Sequence, residues 1–299
     1  HKFGGVDGVT YLVDLMTSKS RYMEPLIRFY EMNGYRAGHS IRAAPYDFRM
    51  GTAEFMSPGG YFSQLKDLIE DTFHRNNATR VHVLGHSLGG PVANLFLSRY
   101  VNKQWKDTFI ASFISIGGPF GGAPITASLV FTGFNYCIPT LKPEDLLPII
   151  REMGSNAAMF PRIASERPFI FSPVQNYTTR TMGDLFRSVG DERFVSLLER
   201  ELSVRLDEAP QVPTHCIYGL HYPTPSEFTV KSLRPPVADV TNVDYGDGTV
   251  TVDSLRLCDN FANLQREPVN VFAMEKNSSH VEIIMNPDLW AKLMSITAP

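Results

Sequence analysis

Apolar positions along this chain recur with two different periods, and the changes between them mark out elements. Over residues 22 to 33, Met23, Leu26, Ile27 and Tyr30 fall at helical spacing and Asn33-Gly34 supplies a stop signal, which predicts a helix and then a turn. Residues 57 to 75 open on Ser57-Pro58 and place Phe62, Leu65, Leu68, Ile69 and Phe73 on one face, predicting a second amphipathic helix. At residues 81 to 84 the pattern becomes a short β-branched apolar run. From 88 to 100 it is helical again, with Val92, Leu95, Phe96 and Tyr100 in phase. Further strands are predicted at 109 to 116, 214 to 218 and 269 to 274, and a helix at about 191 to 206.

Strands that alternate with helices, and that are apolar throughout rather than on every second residue, are the signature of a largely parallel sheet covered on both faces. The fold class is therefore α/β. Residues 120 to 213 break the rhythm with many Pro and Gly and interspersed aromatics, and they fall between two core strands. The expected organisation is a sheet core from 1–119 and 214–299 with an inserted cap at 120–213. Residues 108 to 141 carry no charge, but Gly117, Gly118, Pro119, Gly121, Gly122 and Pro124 break the run, so it reads as a strand, a loop and a further segment rather than a membrane span.

The strand at 81 to 84 and the helix from 88 flank Gly85-His86-Ser87-Leu88-Gly89. The bare Gly-x-Ser-x-Gly string arises by chance in roughly one chain in ten of this length, so the context decides. A strand immediately before and a helix immediately after are what a nucleophile elbow requires, and Gly85 and Gly89 are expected because a Cβ at either would collide with strand or helix. Ser87 is the candidate nucleophile. Such a serine needs a base and an orienting acid, which in this architecture follow it in the order acid, then histidine. Of the later histidines, His215 falls within a strand and His221 before an expected Pro223-Thr224-Pro225 turn. His280 follows the last strand through a polar loop, where such sites assemble, and is the candidate base. For the acid, Gly246-Asp247-Gly248 sets a carboxylate in a turn that lets the backbone come close, and Asp247 is preferred over Asp239, Asp244 and Asp253. His39, His74, His82 and His86 read as packing or surface groups, with His86 shaping the elbow.

Net charge is -3, from 28 Lys plus Arg against 31 Asp plus Glu, and the chain has no basic run that could track a phosphate backbone, so nucleic acid is not an expected partner. No metal-ligand spacing, dinucleotide fingerprint or P-loop occurs, and the chemistry reads as cofactor-free acyl transfer. Cys137, Cys216 and Cys258 allow one internal disulfide at most. Sequons at Asn77, Asn176 and Asn277 are candidate glycan acceptors if the chain enters a secretory route.

Taken in order, these residues resemble the lecithin:cholesterol acyltransferase and lysosomal phospholipase A family of α/β-hydrolases. The resemblance rests on Ile41-Arg42-Ala43-Ala44-Pro45-Tyr46-Asp47-Phe48-Arg49, the elbow, Gln104-Trp105-Lys106-Asp107, residues 113 to 122, and Asn176-Tyr177-Thr178. It continues through Cys216-Ile217-Tyr218-Gly219, Pro223-Thr224-Pro225, Asp247-Gly248-Thr249-Val250, Cys258 and His280-Val281-Glu282. It implies Ser87, Asp247 and His280 as a triad, the Leu88 amide as one oxyanion donor, and a Cys216–Cys258 disulfide that leaves Cys137 as the free thiol. Phe48 stands where the family usually has Trp. The family's core opens with a strand ending in a Pro-Gly oxyanion loop and a disulfide-closed lid, and His1-Lys2-Phe3-Gly4-Gly5 reads as sequence downstream of both.

The activity implied is transfer of a fatty acyl group from a glycerophospholipid through Ser87 to a lipid alcohol such as a sterol, or to water, at a lipid surface. The implied location is secreted, or the lumen of lysosomes or other endomembranes. A carboxylesterase or triacylglycerol lipase with the same triad is one alternative, and a lipid-binding protein without turnover is another. Phe120, Phe131, Phe134, Tyr136, Phe160, Phe169 and Phe171 are candidates for an acceptor-pocket wall, against the plainer expectation that most of them fill the cap's own core.

Overall fold

The computed structural model describes residues 3–11, 21–133, 142–233 and 236–298. Along the described residues the strands are β1 (Val81–His86), β2 (Ile110–Ile116), β3 (Ile170–Phe171), β4 (Asn176–Tyr177), β5 (Thr214–Gly219), β6 (Tyr222–Leu233), β7 (Pro236–Gly246) and β8 (Val269–Met274). Four of them form an all-parallel sheet in the order β1-β2-β5-β8. Strand β2 lies inside it and is buried at Ile110 and from Ser112 to Ile116, which is why its sequence is a near-continuous apolar run.

Alternation along β2 sends neighbouring side chains to opposite faces. Phe113 points into a core built with Phe62 of the helix Tyr61–Arg75 and Leu95 of the helix Gly89–Leu95, together with Phe96 and Phe261. Ile114 and Ile116 point the other way, against Leu26 and Tyr30 of the helix Glu24–Met32 and Leu289 and Leu293 of the helix Pro287–Thr297. Phe62, Phe96, Phe113 and Phe261 are fully buried, and truncating any one to Ala costs about 3–5 kcal/mol. The chain has an α/β fold with a parallel sheet flanked by helices on both faces.

Three helix boundaries differ markedly from the sequence pattern. The helix expected from residue 57 begins at Tyr61, because Gly60 N closes a turn onto Ser57 O at 2.9 Å and Gly59 takes a positive φ. After the serine, the α-helix Gly89–Leu95 widens into a π-helical turn at Phe96–Tyr100. The helix expected over 191 to 206 runs Glu192–Leu202, with the Asp191 carboxylate capping Phe194 N at 3.0 Å.

A second sheet has the order β4-β3-β6-β7, with β3 parallel to β6 and the β3–β4 and β6–β7 pairs antiparallel. Its hairpin, β6 and β7, lies outside residues 120–213. Pro223-Thr224-Pro225 is therefore not a turn but the start of β6. Proline donates no ladder hydrogen bond, and the register shifts just after Pro225. Phe228 and Val230 of β6 share a core with Phe131, Phe160, Phe169, Tyr177, Phe186 and Phe194. Of the aromatics considered for a pocket wall, Phe131, Phe160 and Phe169 belong to this core and Phe171 is half-buried. Phe120 belongs to the parallel-sheet core, edge-on to Phe261. Phe134 and Tyr136 lie outside the described residues.

Cys216 of β5 is disulfide-bonded to Cys258 in the 3-10 helix Arg256–Asn263, 42 residues on. Cys137 lies outside the described residues. Among the described residues no helix is long and apolar enough to cross a membrane.

Candidate active site

Ser87 follows the last residue of β1 and has φ 54, a left-handed conformation that costs a non-glycine residue energy and marks the sharp reversal from strand to helix. The reversal is held by Ser87 N on Ile116 O at 2.9 Å and Gly90 N on Ser87 O at 2.9 Å. A Cβ on Gly85 would lie 2.3 Å from Gly89 O, and one on Gly90 would lie 2.8 Å from Ser115 Oγ. A Cβ on Gly89 would meet nothing nearer than Tyr46 Oη at 4.0 Å. Close packing thus demands glycine at 85 and 90, whereas position 89, expected from the motif to be constrained, is open. The Leu88 amide has no acceptor among the described residues.

The structure brings the three sequence candidates together. Ser87 Oγ–H donates to His280 Nε2 at 2.8 Å, and His280 Nδ1–H donates to Asp247 Oδ2 at 2.7 Å. The second carboxylate oxygen, Oδ1, accepts from Thr249 N at 3.0 Å and Val250 N at 2.8 Å. Asp247 is 1% exposed, and a buried carboxylate is tolerable only when its oxygens are occupied in this way. The main chains are tied as well, His280 N donating to Asp247 O at 2.7 Å.

Glycines let these loops converge. Gly246 is where a Cβ would lie 2.1 Å from Val250 O, and Gly117, at φ 58, would put a Cβ 3.4 Å from both Asp247 Oδ2 and His280 Nδ1. Hairpin residues complete the support: Tyr222 Oη accepts from Ser278 N at 2.9 Å, and Thr224 Oγ1 accepts from Gly248 N at 2.9 Å. Sequence reasoning missed Gly90, Gly117, Tyr222 and Thr224. The second glycine of Gly89-Gly90 was a readable signal; for the others the contacts come from distant segments.

The remaining candidates lie elsewhere. Asp239 pairs with Lys231 on the hairpin surface, and Asp244 and Asp253 are exposed. His215 sits in β5 and His221 between β5 and β6. His82 bonds Ser112 Oγ at 2.8 Å. His86 is buried against the site, and desolvation together with the neighbouring His280 pushes its pKa down to about 4, so the ring is neutral. Asp47 and Arg49 form a bidentate pair that holds the Asp47 carboxyl below its usual range, while Phe48 between them is exposed. Asn77, Asn176 and Asn277 are all exposed.

An elbow serine, a downstream buried aspartate and a histidine bridging them on a parallel sheet can be compared with known proteins. The family model for lecithin:cholesterol acyltransferase matches residues 2–194 and 192–287. The chain belongs to the lecithin:cholesterol acyltransferase family. It is 28% identical over 298 residues to the lysosomal phospholipase A and acyltransferase of Canis lupus familiaris, covering 98% of this chain and 71% of that protein. It is 33% identical over 273 residues to the phosphatidylcholine-sterol acyltransferase of Gallus gallus, covering 88% of this chain and 64% of that one. The chain thus spans about two thirds of the length of these acyltransferase-family relatives. Among solved structures, a chain of the Tle4-Tli4 complex superposes with a TM-score of 0.54 at 12% identity, over 85% of this chain and 68% of that one, a likeness of fold.

Proposed function

We propose that this chain is a serine-dependent lipid acyltransferase and phospholipase A. Ser87 attacks the ester carbonyl of a glycerophospholipid while His280 Nε2 takes its proton. The Leu88 amide donates to the oxyanion of the tetrahedral intermediate. His280 then delivers the proton to the departing lysophospholipid oxygen, leaving the acyl group on Ser87. Asp247 holds the imidazole in the tautomer whose Nε2 is a lone pair and stabilises the imidazolium that forms. A lipid alcohol such as a sterol, or water, repeats the sequence in reverse and frees the serine. No cofactor enters these steps.

What carries the reading is the continuous hydrogen-bond chain from Ser87 Oγ through His280 to Asp247, in a member of a family whose relatives are named for phospholipase A and sterol acyltransferase activities. Residues 1–119, 214–221 and 247–299 are assigned to the hydrolase core, and 120–213 together with the hairpin Tyr222–Gly246 to a cap, because β3 pairs with β6. The Cys216–Cys258 disulfide and the lysosomal relatives support a secreted or lumenal location, where the exposed Asn77, Asn176 and Asn277 would be open to glycosylation.

The test uses phosphatidylcholine vesicles with and without sterol. The wild-type chain is expected to release lysophosphatidylcholine and to be labelled at Ser87 by a lipid phosphonate. Ser87→Ala should do neither while keeping its melting temperature, since the elbow is shaped by Gly85 and Gly90 and not by the hydroxyl. Lysophospholipid release by Ser87→Ala at the wild-type rate would overturn the assignment.

A further inference from the structure

His280 meets Ser87 and Asp247 with its ring and its amide, and its carbonyl is held by something else. His86 Nε2 lies 2.7 Å from His280 O, and Tyr22 Oη lies 2.5 Å from His86 Nδ1. The direction of this relay follows from chemistry. A carbonyl oxygen only accepts, so Nε2 carries the proton. A neutral imidazole has one N–H, so Nδ1 is a lone pair and the Tyr22 hydroxyl is its donor. Burial favours that state twice, lowering the His86 pKa and raising that of Tyr22. The run is Tyr22 O–H to His86, then His86 N–H to the His280 carbonyl.

His86 is 6% exposed, and its ring centre lies 5.2 Å from that of His280. Tyr22 enters from the segment just before the helix Glu24–Met32, where its own amide donates to Thr10 O at 2.9 Å. Three stretches distant in sequence therefore meet in one relay that ends on the main-chain carbonyl of the proposed base. A leucine at position 86 would fill the space and leave that carbonyl without its donor.

We propose that Tyr22 and His86 are positioning residues for acyl transfer, pinning the backbone of His280 so that its imidazole stays aligned with Ser87 and Asp247. The inference rests on the reading of His280 as the base. Neither residue touches the reacting atoms. Both act on the rate through the placement of His280, and substrate binding should not notice them.

The experiment measures phosphonate labelling of Ser87 and kcat and KM for a p-nitrophenyl acyl ester in the wild-type chain, Tyr22→Phe, His86→Leu, His86→Gln and the double variant Tyr22→Phe/His86→Leu. Misplacing a catalytic group by an ångström can cost about a hundredfold, so partial loss of alignment in His86→Leu should lower kcat by about tenfold or more with KM unchanged. His86→Gln retains an N–H that reaches the same carbonyl and should recover most of the loss. Tyr22→Phe should fall between wild type and His86→Leu, and should have no further effect once His86 is Leu, because its hydroxyl acts only through that ring. If His86→Leu does not fold, Tyr22→Phe, which deletes one oxygen atom, carries the test by the same kcat readout. Wild-type kcat in Tyr22→Phe and His86→Leu would overturn the relay and leave the triad standing. Equal losses in His86→Leu and His86→Gln, following their melting temperatures, would overturn it in favour of simple packing. Failure of the wild-type chain to label at Ser87 would overturn the triad and the relay together.

Discussion

The two sheets of this molecule solve the same problem of burial in different ways. The strands of the parallel sheet are six or seven residues long, and the interior strand β2 is apolar almost throughout because helices cover both its faces. The second sheet depends on a hairpin of 12 and 11 residues. There only Thr224, Phe228 and Val230 of β6 are buried, and Val240, Val243 and Tyr245 of the edge strand β7 face outward. The sheets are nevertheless not independent. The hairpin begins three residues after β5 ends and finishes at Gly246, so the residue that follows it is Asp247. The acid of the proposed triad is therefore rooted in the second sheet, while the serine is rooted in the first.

That junction gives the largest expected effect. Asp247→Asn keeps the size of the side chain but can no longer fix the His280 tautomer, and kcat should fall about ten-thousand-fold. Retention of more than a tenth of wild-type kcat would mean that another group orients His280, and that the hairpin does not govern the chemistry.

The next effect belongs to the parallel sheet. Replacing both Cys216 and Cys258 by Ala removes a cross-link between residues 42 apart, which by chain entropy should cost about 4 kcal/mol. Urea melts of the wild-type and double-variant chains without reductant measure it, and coincident midpoints would show that the bridge contributes nothing to stability.

How much of each sheet could be read from sequence follows from the same contrast. Every strand of the parallel sheet was legible because each carries a short, largely apolar run, fullest in the buried β2 and kept even in β8, none of whose residues is fully buried. The elbow was legible because a strand, a helix and glycines bracket Ser87. The hairpin was not, because Pro223 and Pro225 read as punctuation and Val237-Ala238-Asp239-Val240-Thr241-Asn242-Val243 carries no continuous apolar face. The helix start at Tyr61 was hidden behind Ser57-Pro58, where the Ser57 carbonyl closes a main-chain turn with Gly60 N instead. Contacts such as Tyr22 to His86 and Tyr222 to Ser278 join residues 64 and 56 apart, and no periodicity reports them.

A smaller effect tests whether the hairpin steadies the acid. Thr224 is fully buried, and its hydroxyl accepts from Gly248 N while donating to Tyr222 O at 2.9 Å. Thr224→Val keeps the shape and strands the Gly248 amide, at a cost of about 1–3 kcal/mol. The midpoint of urea unfolding should drop accordingly, and kcat should drop with it at temperatures where the variant is still fully folded. A loss of stability with kcat unchanged would mean that Thr224 holds the hairpin and not the Asp247 loop.

The last prediction separates the sheets by function. In the proposed mechanism, once the acyl group is on Ser87, water and a lipid alcohol compete for the same ester, so their ratio depends on how the pocket admits an apolar acceptor and excludes water. If the cap sets that ratio, exchanging it with that of a relative of known acceptor preference should shift fatty acid released against acyl lipid formed, while total turnover changes little. The pairing of β3 with β6 dictates what must be exchanged. Moving residues 120 to 213 alone would set a foreign β3 against the resident β6, opposite Phe228 and Thr229, and should lower the melting temperature. Moving 120 to 213 together with 222 to 246 keeps the second sheet whole and should preserve it. A chimera of the second kind that is stable, turns over normally and keeps the original ratio would place acceptor choice outside the cap, in the walls contributed by the parallel-sheet core.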